Sequence, residues 1–206
     1  MNADELGKRF ARVVTNAVVR RPALWRLFRA PLRRQFESLA PGWDERRTPG
    51  RTEAYEAALA ALPAAPRRAL DLGTGTGDGA LALARRFPEA EVVGADLAAA
   101  MVAEARRKTP PELDGRVRFE VADAASLPFE DGEFDLVAMN NMIPFFDELA
   151  RVLAPGGRVV FAFSGGAQTP IYVPPGRLRR ELSARGFTEF AEFSVGAGTA
   201  LAAKLR

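Results

Sequence analysis

From residue 51 onward the chain alternates short apolar runs with stretches in which apolar residues recur every three or four positions. The first kind reads as buried strand and the second as amphipathic helix. "RALDL" (68–72), "EVVGAD" (91–96), "RVRFEV" (116–121), "FDLVAM" (134–139) and "RVVFAF" (158–163) are the predicted strands. Helices are expected over 78–86, 98–108, 145–153 and 176–186. In the third of these, Phe146, Leu149 and Leu153 fall at i, i+3 and i+7. "PGG" at 155–157 and Gly186 mark helix stops. Two closing runs, "FTEFAEFS" (187–194) and "TALAAKL" (199–205), are joined by a short glycine-containing turn and predict an antiparallel hairpin. Strands alternating with helices imply right-handed crossovers and a mostly parallel sheet covered on both faces. The expectation is one α/β doubly wound sheet of seven strands, Rossmann-like, with the hairpin added at its C-terminal end.

The first 35 residues follow a different pattern. "KRFARVVTNAVVR" places Phe10, Val13, Val14, Ala17 and Val18 on one helical face. "ALWRLFRAPLRRQF" sets Leu24, Phe28, Leu32 and Phe36 at i+4 steps with Trp25 alongside and arginines opposite; Pro31 is expected to bend or break that helix. The chain thus divides into a helical arm, residues 1–35, and an α/β body, residues 36–206.

Composition narrows the chemistry. The chain has 206 residues, 48% apolar and 27% charged, which suits one globular core. No apolar run approaches the roughly 18 residues of a spanning helix, and no secretory-signal pattern opens the chain, so a cytoplasmic location is expected. Histidine and cysteine are both absent. That excludes disulfides, thiolate nucleophiles and Ser-His-Asp triads, and no metal site is expected. Charge is uneven: residues 1–35 carry nine Lys/Arg against two acids, while the other 171 residues carry 20 basic and 24 acidic groups. The basic character belongs to the arm.

The segment "DLGTGTGDGALALARR" joins the first strand to its helix through glycines 73, 75 and 77, where a backbone can turn tightly and approach a ligand closely. In a doubly wound sheet ligands bind at this end, and an acid closing the second strand, here Asp96, can accept the hydroxyls of a ribose. The glycines alone fit any adenosine-containing cofactor; the dinucleotide pattern is met at Gly75, Gly77 and Ala80. Asp71 before the loop and Asp123 after the third strand tilt the balance. Three carboxylates around one site suit a cationic ligand better than a diphosphate.

"LDLGTGTGDGALALARR", "VVGADLAAAMVAEAR", "VRFEVADAASLPFEDGEFDLV" and "ELARVLAPGGRVVFAFS" together resemble the successive motifs of the class I S-adenosylmethionine-dependent methyltransferases, of the small-molecule and lipid-quinone type. With "FESLAPGWD", similar to the family's opening segment, the resemblance covers about residues 36 to 206. It implies S-adenosylmethionine as cofactor. Asp71 and the loop Gly73, Thr74, Gly75 and Gly77 would hold the methionine portion. Asp96 would take the ribose, Leu97 would pack beside adenine, and Asp123 with the Ala124 backbone would meet the adenine amino group. Asn140 would line the path to the methyl group.

The acceptor should approach along "NNMIPFFDE" after the fourth strand. Asn140, Asn141, Asp147 and, further on, Tyr172 are weak catalytic candidates. The segment lacks the Asn-Pro-Pro-aromatic sequence of many enzymes that methylate adenine or glutamine nitrogens, which argues against a nucleic-acid acceptor. The connection "SGGAQTPIYVPP" is short where lipid-quinone C-methyltransferases carry a substrate-covering insertion, leaving the arm as the candidate roof. Three readings of the arm stand at this point: a lid or brace, a peripheral contact of residues 8–36 with an anionic inner membrane surface, and a nucleic-acid contact. The functional expectation is methyl transfer to a small or lipid-like acceptor. The alternatives are an NAD-dependent oxidoreductase and a non-catalytic S-adenosylmethionine-binding module.

Overall fold

The computed structural model describes residues 3–46 and 52–206, so residues 1 and 2 of the expected arm lie outside it. Seven strands run β1 Arg68–Leu72, β2 Glu91–Asp96, β3 Val117–Val121, β4 Phe134–Asn140, β5 Leu153–Phe163, β6 Phe187–Val195 and β7 Gly198–Leu205. They form one sheet in the order β3-β2-β1-β4-β5-β7-β6. β1 through β5 pair in parallel, and β7 is antiparallel to both of its neighbours, so the closing hairpin enters the sheet through its second strand. β1 and β4 lie side by side at the point where the strand order reverses, and the crevice for a ligand opens above such a point.

The helices are α1 Ala3–Arg20, α2 Trp25–Leu39, α3 Glu53–Ala60, α4 Asp78–Arg86, α5 Ala99–Lys108, α6 Phe146–Val152 and α7 Pro175–Ser183. Alternation along β1 separates the two cores: Leu70 and Leu72 join a cluster with the arm, Phe145 and Leu178, while Ala69 joins one with Tyr55, Leu83 and Val102. α3, absent from the sequence-based expectation, packs Tyr55 and Ala58 into the second cluster.

In the arm, the expected break at Pro31 is absent and the expected buried face of α1 is corrected. α2 runs unbroken through Pro31, whose neighbours Ala30 and Leu27 are exposed, so water can satisfy the carbonyl that proline leaves unbonded. In α1, Val14 and Val18 are buried as expected, but Phe10 and Val13 are 45% and 63% exposed. The buried face turns instead through Thr15 and Val19. "PGG" at 155–157 is likewise drawn into the start of β5, within a register shift between the Phe134–Leu153 and Leu136–Arg158 pairs.

Candidate functional site

β1 ends at Leu72 and the chain turns at once. Gly73 and Thr74 donate their N–H groups to the Ala95 carbonyl at 2.8 and 3.0 Å, which fastens the loop to the end of β2. Gly73 has φ +76°, and a Cβ there would lie 2.7 Å from Met142 Sδ, so the second residue after β4 rests directly on the loop. Gly77, at φ +92°, opens α4, where a Cβ would lie 2.9 Å from the Ala105 Cβ. Both positions need glycine for conformation and for space.

Asp96 stands at the centre of this arrangement. One carboxylate oxygen accepts from Gly75 N–H at 2.9 Å, the other from Ala98 N–H at 2.9 Å. Each oxygen has two acceptor positions, so with the Leu97 N–H also directed at the carboxylate at least one remains for a ribose hydroxyl. Burial raises the Asp96 pKa from its ordinary value, opposed by hydrogen bonds from the Ala98, Gly75 and Leu97 backbone.

Asp71 sits under the loop. Strand alternation sends it to the face of Ala69, where it is 2% exposed. Its carboxylate accepts Thr74 Oγ1–H at 2.6 Å and the Tyr55 hydroxyl at 3.4 Å, together with the Ala80 N–H in the first turn of α4. A Cβ on Gly79 would come within 2.5 Å of both its oxygens. These contacts make Asp71 an organiser of the loop that places its charge beneath it, beside the expectation that it touches the cofactor. Burial lifts its pKa from 3.8 to about 6, against the hydrogen bonds that lower it. The neighbouring Tyr55 hydroxyl is raised well above its usual value, by burial first and then by the Asp71 charge.

This has a consequence for ligand charge. The N-terminus of a helix attracts anions. At α4 that place is already taken by a carboxylate of the protein, and Asp78 adds another in the first turn. A diphosphate at the loop would meet negative charge, whereas a sulfonium would be attracted.

Asp123, after β3, receives the arm. Trp25 Nε1–H donates to Oδ1 at 2.7 Å, Ala125 N–H to the same oxygen at 3.0 Å, and Arg29 Nη1 to Oδ2 at 3.2 Å. Oδ1 is fully used, so an adenine amino group would be accepted at Oδ2, beside Arg29. Trp25 also stacks edge-on against Phe145 at 5.2 Å. Glu37 accepts from Ala99 and Ala100 N–H at 2.8 and 2.9 Å, capping α5. Asp44 holds Thr76 Oγ1 at 2.6 Å, and Lys108 Nζ bridges Asp44 and Asp78 at 2.6 Å each. Residues 25–44 therefore wrap the strand ends that carry the loop. Sequence reasoning missed Tyr55, Arg29, Glu37, Asp44 and Lys108 as parts of this site.

The acceptor-side candidates separate. Asn140 ends β4 with its Oδ1 buried and without a hydrogen-bond partner, as an acceptor awaiting a donor. Asn141, at φ +57°, spends its amide on Ser164, donating to Oγ at 2.9 Å and accepting from N–H at 2.9 Å. It ties β4 to β5. Asp147 is turned to the surface and pairs with Arg185 at 2.6 Å. Tyr172 is half-buried and stacks edge-on against Phe163 at 5.2 Å. Leu97 packs on the first core cluster, and Ala124 is buried within it. A depression of about 270 Å³ at the other end of the sheet, beside Pro66, Asp135 and Arg158, lies away from all these residues.

Comparison with known proteins agrees with this geometry. Residues 69–157 match the family described as a methyltransferase domain. A demethylmenaquinone methyltransferase of Thermus thermophilus is 56% identical over 108 residues, 48% of either chain. A trans-aconitate 2-methyltransferase of Methylobacterium nodulans is 36% identical over 152 residues, 66% of this chain and 57% of that one. The chain spans about half the length of the curated relatives it matches. A solved S-adenosylmethionine-dependent methyltransferase of Aquifex aeolicus superposes with a TM-score of 0.66 at 20% identity, covering 82% of this chain and 98% of that one. Residues 69–157 thus match a methyltransferase-domain family, and they sit in a seven-stranded fold shared with solved S-adenosylmethionine-dependent methyltransferases.

Proposed function

We propose that the chain binds S-adenosylmethionine and transfers its methyl group to a small or lipid-like acceptor. The observation that carries this is the Asp71 carboxylate occupying the positive end of α4 beneath a loop that Asp96 holds from above. Such a site repels a diphosphate and favours adenosine bearing a positive sulfur. The residues present suit that group: Asp96 keeps acceptor capacity for a ribose, and the orphan Asn140 Oδ1 offers a further acceptor at the end of β4. When bound, S-adenosylmethionine supplies an electrophilic methyl on sulfur. The chain's part is to hold that carbon in line with the acceptor and to keep water away, so positioning accounts for much of the rate. Asp147 faces Arg185 and Tyr172 faces Phe163. The reading therefore favours acceptors whose reacting atom is already electron-rich, such as a quinol or a carboxylate. Relatives named for demethylmenaquinone, malonyl-carrier and trans-aconitate methylation support that range.

The test pairs titration calorimetry with methyl transfer. S-adenosylhomocysteine should bind and NAD should not, and label from S-adenosylmethionine should pass to a demethylated quinol or a short dicarboxylate. Binding of NAD alone would overturn the reading in favour of an oxidoreductase. Cofactor binding with no transfer to any acceptor would favour the non-catalytic module.

The titration of Asp71 gives a second expectation. Its carboxyl is ionised above about pH 6. S-adenosylmethionine differs from S-adenosylhomocysteine by a positive sulfur, so its affinity advantage should shrink as pH falls from about 7.5 to about 5. For stability the sign is opposite. The folded pKa lies above the ordinary 3.8, so the folded state binds more protons and this group's contribution declines as pH rises from 3.8 to about 6. An affinity ratio that stays flat across that range, in calorimetry at matched ionic strength, counts against a charge effect from Asp71.

A further inference from the structure

The inner side of the arm is accounted for by the body. Val14, Val18, Trp25 and Leu32 are buried in the first core cluster, and Arg12 clamps the carbonyls of Ala167 and Thr169 at 3.1 and 3.2 Å. The outer side is not. Leu6, Phe10 and Val13, spaced i, i+4 and i+7 on α1, are 58%, 45% and 63% exposed, and Leu27 on α2 is 61% exposed. Of the large apolar residues exposed among those described, only Val121 lies outside the arm. Folding does not need this second stripe.

Charge follows the same distribution. Arg20, Arg21, Arg26, Arg33 and Arg34 are exposed, with no carboxylate in ion-pair range among the described residues. Many arginines of the body are matched, as Arg151 is by Glu148 and Asp131 and Arg158 is by Glu189, and its exposed unmatched ones, such as Arg67, Arg85 and Arg86, do not adjoin an exposed apolar stripe on the same helix. Outside the arm, acids outnumber basic groups by four. Aliphatic side chains set among unmatched arginines, on helices already anchored from behind, have the composition of an interfacial helix. We propose that the outward faces of α1 and α2 dock on an anionic lipid bilayer, with Leu6, Phe10, Val13 and Leu27 entering the headgroup boundary and the arginines meeting lipid phosphates.

Two other occupants fit less well. Nucleic acid calls for exposed aromatic faces, yet of the arm's aromatics only Phe10 is strongly exposed, and it lies edge-on to Phe28 at 6.3 Å. A second copy would bring like charge against like across a symmetric contact. The mode is peripheral, since no helix among the described residues is long and apolar enough to cross a membrane.

The experiment is vesicle co-sedimentation of the full chain, using phosphatidylcholine with and without phosphatidylglycerol. Binding is expected on the anionic vesicles and not on the neutral ones, weakening at high salt as screening shortens. Leu6→Ser/Val13→Ser/Leu27→Ser should reduce partitioning by about tenfold or more. Its calorimetric S-adenosylhomocysteine affinity should stay unchanged, which separates failure here from failure of the methyltransferase reading. Absence of vesicle binding, or binding that the serine variant retains, overturns the proposal. So would self-association in sedimentation velocity that the same serines abolish without vesicle binding, or salt-sensitive duplex DNA binding in place of vesicle binding.

Discussion

Asp96→Ala should weaken S-adenosylhomocysteine binding about a hundredfold, roughly 3 kcal/mol, while the protein stays folded. The carboxylate does two things at once. It accepts Gly75 and Ala98 N–H at 2.9 Å each, and in the proposed function its remaining acceptor capacity takes the ribose. On that reading truncation removes charge-assisted bonds to the ribose and leaves the Gly75 N–H without its partner, so only the Gly73 and Thr74 bonds to Ala95 still tether the loop to β2. Stability should change less than affinity, because burial already disfavours this charge and its removal offsets part of the lost hydrogen bonding. Asp96→Asn keeps one accepting oxygen and the side-chain shape, and should cost about tenfold. Calorimetry on the two variants decides it. A folded Asp96→Ala protein with wild-type affinity would place the ribose elsewhere and remove the main support for the cofactor site.

What could be read ahead of the structure was what local chemistry encodes. β1, the loop and α4 are bounded by an acid, three glycines and Asp78, each a short-range signal, and their limits agree with the structure to the residue. Strand period also held the information about Asp71. It shares a face with Ala69, opposite Leu70 and Leu72, so it had to point toward α3 and α4. The missing element was α3 itself, whose short "EAYEAALA" pattern is too weak to announce a helix, and with it Tyr55.

The arm failed differently. α1 has two apolar stripes, one through Leu6, Phe10 and Val13 and one through Val14 and Val18, separated by about a quarter turn. Helical periodicity cannot say which stripe meets the core. That is settled by docking against residues far along the chain, where Arg12 reaches Ala167 and Thr169. The contact of Trp25 with Asp123 spans 98 residues and leaves no local trace. Long-range partners of this kind make up most of what sequence reasoning missed.

Trp25→Ala should release the arm at a cost of about 3 kcal/mol in its docking, without unfolding the sheet. Trp25 is 7% exposed, lies edge-on to Phe145 at 5.2 Å and donates to Asp123 at 2.7 Å. Replacing a buried indole normally costs 3–5 kcal/mol, but the loss reported by global unfolding is capped by the free energy that holds the arm down. Beyond that limit the arm opens alone. Trypsin should then cut more readily at the exposed Arg20 and Arg26, and hydrogen exchange should rise across α1 and α2 while β1 and β4 keep their protection. Trp25→Phe retains the ring contact and loses the N–H, so it should show the same pattern at about 1–2 kcal/mol. Unchanged cleavage in the alanine variant would mean that Arg12, Glu37 and the valines of α1 hold the arm without this residue. Loss of protection spreading through β1 and β4 would mean that arm and sheet unfold as one unit, and the arm would then be part of the core wall and not a cover over the acceptor side.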